Sequence, residues 1–477
     1  MTINNIYKPL GIICIALIYA SCNIPTIVQK KENKTVPASY NSEQDTVNSA
    51  TVKWKDFFTD PYLIALIDTA IKNNQELNIT LQEIQVLQNE IRAKRGEYLP
   101  FVGLGGGAGA EKTGRYTRLG AMEATTEIEP GKEMPDPVPD FMVTAMASWE
   151  LDIWNKLHNA KKSAVTKYLS SVEGRNFMVT SLVAEIANSY YELMALDNQL
   201  SILQSNIQIQ QDALEIVKLQ KDAAKVTELA VRKFEAEVFK NQSHQFYILQ
   251  AIRETENRIN FLVGRFPQPV LRNSQSFNEL TPTIVKAGIP SQLLQNRPDI
   301  KQAELELVAA KLDIKVAKAN FYPSVRLTAG VGLNAFNPQY LVTTPQSLAY
   351  SLAGDLVAPL INRNAIKASY SSANARQVQA AYNYEQTILK AYIEVVNQLS
   401  NINNLDTSYS LKALQVQALT QSINISTSLF KSARADYMEV LMTQRDALDS
   451  RFDLVETKMQ QMKAMVNIYR ALGGGWR

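Results

Sequence analysis

The sequence is poor in the residues that build metal centres, disulfide frameworks and catalytic triads. Its 477 residues include only 2 His and 2 Cys, a supply that excludes a structural zinc cluster or a disulfide framework. It also has no phosphate-binding loop, so we expect no enzyme and no cofactor. Lys and Arg together number 49 and Asp and Glu 46, a balance that argues against nucleic acid as a partner. No apolar run reaches the roughly 18 residues that a transmembrane helix needs.

Glycine and proline, at 19 and 18 residues, are also scarce for this length. Because both residues break helices, their scarcity favours a mainly α-helical chain. Apolar residues recur at a sustained spacing of about 3.5 in a segment near 164–220 and again near the C-terminus, which predicts long helices with coiled-coil packing. Helices of that length predict an elongated protein.

The first residues carry the features of an export signal. The apolar run Leu10–Ala20 follows a lysine and leads to small residues and Cys22, which predicts a signal peptide over residues 1–21. The tripeptide that ends at Cys22 resembles a bacterial lipobox, whose cysteine is acylated, although Tyr19 stands where an aliphatic residue is usual. An ordinary signal with a chance cysteine is the alternative. We predict lipidation of Cys22 and a polar segment over residues 22–55.

The chain contains an internal repeat. Residues 73–109 align with residues 296–332 at one offset, and the offset then drifts from 223 to about 209, which one insertion explains. We therefore predict two structural copies of one unit, over residues 56–272 and 280–477. Later in the same alignment, Asp197 lies over Asp406 and Gly264 over Gly474.

Each copy contains two runs in which apolar residues alternate with polar or small ones, the period of a β-strand. The predicted strands cover residues 99–110 and 141–152 in the first copy and residues 322–334 and 346–359 in the second. Runs of about ten residues with this weak alternation are typical of outer-membrane strands. Four strands cannot close a barrel, since about eight is the usual minimum. Either the strands lie outside the membrane, or two, three or four chains share one barrel.

Four segments resemble the TolC/OprM-type outer-membrane factors of tripartite efflux pumps, in their lipoprotein branch. They are Ser148–Trp154, Gly288–Ile300, Ala319–Ser324 and Gly354–Ile361. The resemblance implies a mainly α fold with a small membrane β part. In that fold long helices form an α-barrel, and a homotrimer shares a β-barrel of twelve strands, four from each of three chains. It also implies a lipid-anchored protein of the outer membrane, in contact with its lipid, with the helical part in the periplasm.

The function that the resemblance implies is a passive exit duct for drugs or other small solutes. Its partners would be a periplasmic adaptor (membrane-fusion) protein and an RND-type inner-membrane pump. A channel for type I protein secretion is one alternative, and a structural coiled-coil lipoprotein without a pore is another. Arg326 and Thr328 share a predicted strand face with Gly330 and Gly332, and a polar face with small residues suits a wet lumen.

The resemblance further implies that the turns joining the paired long helices, near 221–227 and 432–437, close the pore and contact the adaptor. The tip residues are Lys225, Val226 and Thr227 in the first copy and Arg434, Ala435, Asp436 and Glu439 in the second. The glycine usual at such tips is alanine in both copies, and the usual acid is Glu439 in the second copy but Ala230 in the first. We expect Glu439, with Asp436, to form an acidic ring. The alternative is ordinary solvated turn charges.

Several methionines in the last long helix suggest copper export, because thioethers favour Cu(I). They are Met438, Met442, Met459, Met462 and Met465. At helical spacing in a coiled-coil stripe, methionine is more often a flexible core filler. We predict that role for these residues and no metal site.

Overall fold

The computed structural model describes residues 24–40, 46–432 and 434–477. The predicted signal peptide and Cys22 lie outside these residues. Among the helices that are described, none combines the length and the apolar character needed to cross a membrane.

The described residues form two compact units. We call the first the sheet unit; it consists of residues 24–31, 85–169 and 305–382. We call the second the helical unit; it consists of the described parts of residues 32–84, 170–304 and 383–477.

The chain is mainly helical, as predicted. The helices are α1 (Trp54–Phe57), α2 (Pro61–Asn73), α3 (Gln75–Tyr98), α4 (Arg118–Glu123), α5 (Lys156–Asp222), α6 (Glu228–Val263), α7 (Leu293–Asn296), α8 (Pro298–Ala319), α9 (Pro338–Leu341), α10 (Asn364–Lys431) and α11 (Tyr437–Ala471). Helices α5 and α10 contain 67 and 68 residues. They are followed by α6 and α11, with 36 and 35 residues. The two predicted pairs of long helices are therefore present.

Helix α5 begins earlier than predicted, at Lys156 rather than near residue 164. Asp152 explains the difference, because its carboxylate accepts hydrogen bonds from the amides of Leu157 at 2.9 Å and His158 at 2.8 Å. First-turn amides have no partner inside the helix, so an acidic side chain placed before them stabilises the helix start.

The predicted strands are present and form one antiparallel sheet. The strands of the chain are β1 (Phe101–Glu111), β2 (Glu127–Glu129), β3 (Lys132–Glu133), β4 (Val138–Leu151), β5 (Ser324–Ala335) and β6 (Leu348–Val357). The sheet has the order β1-β4-β5-β6, and β2 pairs only with β3 in a small hairpin between β1 and β4. In the described chain, β1 and β6 therefore have a neighbouring strand on one side only.

The sheet has one apolar and one polar face. Thr144 pairs with Gly332, while the next residue pair along the strands joins Val143 to Leu333. Because side chains alternate between faces, the register places Thr144 and Gly332 on the face with most of the small and polar residues, and Val143 and Leu333 on the opposite, apolar face. Gly332 has no room for a side chain, since a β-carbon there would lie 2.3 Å from the Val143 carbonyl oxygen.

Two tryptophans bind to the segments where helices and strands of the sheet unit meet. The Trp149 indole N–H donates to the Tyr98 carbonyl at 3.1 Å. The Trp154 N–H donates to the Pro323 carbonyl at 2.7 Å, and its ring stacks on Tyr322 with centroids 4.6 Å apart. Both indoles therefore pack at junctions between a helix and a strand.

The main core of the helical unit contains the predicted methionine stripe. Met459, Met462 and Met465 are 6%, 3% and 4% exposed and pack in one cluster with residues such as Tyr190. Met442 differs, because it is 49% exposed. The core-filler prediction is confirmed for the three buried methionines.

The last helix of each repeat is followed by a glycine with positive φ. Gly264 and Gly473 follow the last helix of each repeat with φ of +74° and +93°. A β-carbon would lie 2.4 Å from the Asn73 carbonyl oxygen at Gly264, and 2.6 Å from the Asn296 carbonyl oxygen at Gly473. Positive φ and this close approach both require glycine. The structural counterpart of Gly264 is therefore Gly473, and the sequence alignment with Gly474 is wrong by one residue.

Candidate functional site at the helical turns

The first predicted tip is a tight turn between α5 and α6. Ala224 has φ of +56°, and the Lys225 amide donates across it to the Gln220 carbonyl at 2.9 Å. This bond ends a helix through one left-handed residue, a position that glycine usually occupies. Thr227 precedes α6 in extended conformation, and its hydroxyl makes no capping hydrogen bond.

The second predicted tip repeats this bond. The Arg434 amide donates to the Leu429 carbonyl at 2.9 Å, so Arg434 corresponds to Lys225 of the first tip. Asp436 precedes α11, again in extended conformation and without a side-chain cap. The Glu439 amide donates to the Asp436 carbonyl at 3.1 Å, which starts the helix. Both turns lie where the resemblance to TolC/OprM-type factors predicts them.

An apolar cluster brings the two tips together. It consists of Leu214, Val217, Ala230, Val231, Phe234, Val238 and Leu441, with Val226, Phe430, Tyr437 and Met438 packed against it. Of the predicted tip residues, only Val226 contributes to this cluster. Ala230 is 0% exposed inside it, so a carboxylate at that position would be desolvated at a high cost. This burial explains why the first copy has alanine where the second has an acid.

The first tip has a ladder of charges that sequence reasoning missed. Glu228 lies 3.4 Å from the Lys221 ammonium and 2.9 Å from the Arg232 guanidinium. Arg232 also pairs with Glu235 at 2.9 Å, and the hydrogen bond to Glu235, with the charge of Glu228, raises the pKa of Arg232. The spacing of Glu228 and Arg232 by four residues was the available signal. The ladder neutralises the acid of this tip.

The acids of the second tip are not neutralised within the described chain. Asp436 and Glu439 are exposed, and neither is ion-paired with Arg434 or with any other described residue. Both carboxylates lie at the start of α11, where the helix dipole favours negative charge. Ala435 lies half-buried between these charged residues. Each chain thus presents two free carboxylates at one tip, an arrangement that attracts cations.

Comparisons with known proteins identify the family. The family described as "Outer membrane efflux protein" matches residues 66–265 and 289–474. The chain is 27% identical over 426 residues to the pyoverdine export outer membrane protein OpmQ of Pseudomonas aeruginosa, covering 89% of this chain and 88% of OpmQ. It is 26% identical to the solvent efflux pump outer membrane protein SrpC of Pseudomonas putida, with 91% and 90% covered. The cation efflux system protein CusC of Escherichia coli is also 26% identical, with 97% and 98% covered.

Solved structures show the same fold. The chain matches crystal structures of CusC with a TM-score of 0.81 at 24% identity, covering 95% of this chain and all of that one. It matches the open state of the Neisseria gonorrhoeae MtrE outer membrane channel with a TM-score of 0.81 at 22% identity, with 95% and 98% covered. Since the family match covers most of both halves, the chain belongs to the outer membrane efflux protein family and is an efflux channel subunit of the outer membrane.

Proposed function

We propose that the chain is one subunit of a homotrimeric exit duct, through which drugs or other small solutes pass from the periplasm to the exterior. The four-stranded sheet carries this proposal, because β1 and β6 each lack a neighbour on one side within the described chain. Unpaired backbone groups in lipid cost several kcal/mol each, so both edges need strands from other chains. The choice of three chains follows from the resemblance to TolC/OprM-type factors.

The two faces of the sheet support a water-filled barrel. Leu352 and Val331 are 80% and 51% exposed on the apolar face of the single chain, and they would contact lipid. Thr328 and Ser351 lie on the other face, which would line the lumen. This distribution matches outer-membrane barrels, in which an apolar outer band surrounds a polar interior.

The tips would lie at the periplasmic end of the duct and contact an adaptor protein. The adaptor would link the duct to an RND-type inner-membrane pump. Val226 is half-buried against the apolar cluster and would form the apolar part of the surface that the adaptor contacts. Lys225, Thr227 and Arg434 are exposed and would offer polar groups to the adaptor. A lipid on Cys22 would anchor the N-terminus. The pump supplies the energy, and the duct itself performs no chemical step.

The named substrates of the relatives differ in chemistry: pyoverdine, solvents and cations. This range supports a duct that does not select strongly, so the substrate is a small solute chosen by the pump. A copper path along the α11 methionines is not favoured, since Met459, Met462 and Met465 are buried in the core.

Native mass spectrometry in detergent, followed by planar-bilayer recording, tests the proposal. We expect a species of three chains and a steady, voltage-tolerant conductance after reconstitution. A stable, monodisperse monomer without conductance contradicts both the shared barrel and the duct.

A further inference from the structure

The sheet unit contains a cavity of about 680 Å³ at the end of the sheet where β1 ends and β4 begins. Its walls include the side chains of Glu111, Asp140 and Asn334. Glu111 pairs with Val138 across β1 and β4, so its side chain shares a face with those of Asp140 and Thr144. This wall of the cavity therefore belongs to the polar face of the sheet, at the end opposite to the junctions with α3 and α5.

Three carboxylates line the cavity, those of Glu111, Glu123 and Asp140, and none of the described lining residues is basic. Within the described chain, none of the three has an ion-pair partner. Lys112, next to Glu111 in the sequence, pairs instead with Asp136 at 3.4 Å. Like charges around one cavity raise its negative potential, so the cavity attracts cations.

Neutral hydrogen bonds orient two of these carboxylates. The Asn334 amide donates to Asp140 Oδ1 at 3.0 Å, and the Thr113 hydroxyl donates to Glu123 Oε1 at 3.3 Å. The second oxygen of each carboxylate has no partner among the described residues. Asp140 is exposed and Glu123 is half-buried, so a ligand in the cavity can reach both oxygens.

Other walls of the cavity are aromatic and aliphatic. The rings of Phe336 and Tyr340 line it, with centroids 5.5 Å apart and planes inclined at 63°. Ile128 and Val138 add aliphatic surface. The faces of aromatic rings attract cations, and two rings at such an angle form a corner that suits an ammonium group with an apolar body.

Hydrogen bonds within the chain hold one wall of the cavity in shape. Ser347 lines the cavity and is 5% exposed, and its amide and its hydroxyl both donate to the Thr343 carbonyl at 3.0 Å. The Asn334 backbone amide donates to the Ser347 carbonyl at 2.8 Å. A site that is formed before the ligand arrives loses less conformational entropy on binding.

We propose that this cavity binds a small organic cation with an aromatic body. Its volume lies within the range of about 300–1,000 Å³ that is usual for sites of drug-sized ligands. Asp140 and Glu123 would hold the charge, and the body would pack on Phe336 and Tyr340. A bare inorganic cation would leave the aromatic and aliphatic walls without a contact. If the polar face lines the lumen as proposed above, the site lies inside the outer mouth of the duct, but the binding itself does not rest on that function.

A fluorescent cation of this class, dimethylaminostyryl-N-methylpyridinium, is the probe. Its binding to the purified full chain in detergent is followed by fluorescence anisotropy, with empty micelles as the blank. We expect saturable binding that weakens at least about tenfold when Asp140→Asn is combined with Glu123→Gln, because the charge pairing is lost. Each amide keeps an oxygen for the existing hydrogen bond, so the fold stays intact, and an unchanged melting temperature verifies this.

Two further variants separate the aromatic contact from general charge. Phe336→Leu keeps an apolar side chain but removes the ring, and it should weaken binding several-fold. Glu133→Gln removes an exposed acid that lies between β1 and β4 but does not line the cavity. This control should bind the dye as tightly as the unchanged chain.

The unmethylated parent dye, dimethylaminostyrylpyridine, is uncharged in mildly alkaline buffer and should bind at least about tenfold more weakly. The proposal is overturned if the unchanged chain shows no saturable binding, if both dyes bind equally, or if the double variant keeps its affinity. It is also overturned if calcium chloride displaces the dye where sodium chloride of equal ionic strength does not, because the cavity would then be an inorganic cation site. The assay uses no bilayer, so its failure is distinguishable from failure of the proposed duct.

Discussion

The Arg297 guanidinium donates a 2.7 Å hydrogen bond to the Ala471 carbonyl and so joins the start of the second repeat to its last helix. The same group pairs with Asp299 at 2.7 Å and with Glu394 at 2.9 Å. Burial alone would lower the pKa of Arg297, but the hydrogen bond to Asp299 and the charge of Glu394 raise it. Asn74 has the corresponding role in the first repeat, where it donates to the Leu262 carbonyl at 2.9 Å.

The first prediction concerns this junction. Arg297 is 5% exposed, and Arg297→Met would leave partly buried carboxylates without their cation. Breaking such a pair from one side costs about 3–5 kcal/mol. We expect the low end of this range, since Glu394 keeps its 2.8 Å contact with Arg470. Thermal unfolding followed by circular dichroism measures the effect. Arg470→Met, at a more exposed side chain, is the control and should lower the melting temperature much less.

The faces of the strands could be predicted from the sequence, but the closing glycine of the second repeat could not. Alternation identified the faces of the strands because side-chain period alone determines them. The sequence alignment could not pair Gly264 with Gly473, because the three consecutive glycines of residues 473–475 fit it equally well. The positive φ of Gly473 and its close approach to the Asn296 carbonyl identify it as the counterpart. The strand predicted to reach residue 359 ends at Val357, shortly before Pro359, which has no N–H for the sheet.

The second prediction concerns strain at the first tip. Ala224 has φ of +56°, and a left-handed conformation costs a residue with a β-carbon about 1–2 kcal/mol. Ala224→Gly should therefore stabilise the turn by up to about 1 kcal/mol, after the greater flexibility of glycine in the unfolded chain is subtracted. Ala224→Val should destabilise it. Hydrogen exchange of the Lys225 amide, which closes the turn, should slow in the glycine variant and accelerate in the valine variant. Equal exchange in all three chains contradicts the assigned strain.

The third prediction is lipidation of Cys22, which follows from the lipobox-like end of the apolar run. Mass spectrometry of the mature N-terminus should find an acylated cysteine as the first residue. Cys22→Ala should weaken membrane anchoring yet permit partial insertion, because strands insert without acyl chains. A mature chain that begins at another, unmodified residue rules this prediction out.

The fourth prediction tests the two faces of the sheet with adjacent residues. Leu352 pairs with Ala329 on the apolar face, and Ser351 pairs with Gly330 on the polar face. An arginine on a lipid-facing strand costs about 2–4 kcal/mol near the middle of the bilayer. Leu352→Arg should therefore reduce the yield of folded channel in lipid vesicles, whereas Ser351→Arg should fold normally. Equal loss in both variants would mean that the sheet is not embedded as proposed.

The positions of the two tips could be predicted from the sequence, but the ion pairing of their charged residues could not. Both turns could be predicted because the tip motif of TolC/OprM-type factors aligns with residues 224–230 and 433–439. The difference in neutralisation is not visible, since it depends on which side chains meet in three dimensions. Lys221 and Arg232 contact Glu228 in the first tip, whereas Arg434 pairs with neither Asp436 nor Glu439 in the described chain.

The last prediction uses this difference at the proposed pore entrance. In a trimer, Glu439 and Asp436 would place six uncompensated carboxylates, two from each of three chains, around one opening. Like charges held close together raise the local negative potential, so the channel should prefer cations. Glu439→Gln should lower the ratio of cation to anion permeability, and Glu439→Gln combined with Asp436→Asn should lower it further. Reversal potentials in planar bilayers under a salt gradient measure this ratio.

Glu228→Gln is the matched control, because it removes an acid from the first tip that Lys221 and Arg232 already neutralise. We expect little change in selectivity from it, or a small rise in anion permeability as the two cations lose their partner. The Glu439 effect should shrink at high ionic strength, since salt screens exposed charges over about 10 Å or less. If the double variant keeps the selectivity of the unchanged channel, Glu439 and Asp436 are solvated turn charges and the narrowest charged ring lies elsewhere in the duct.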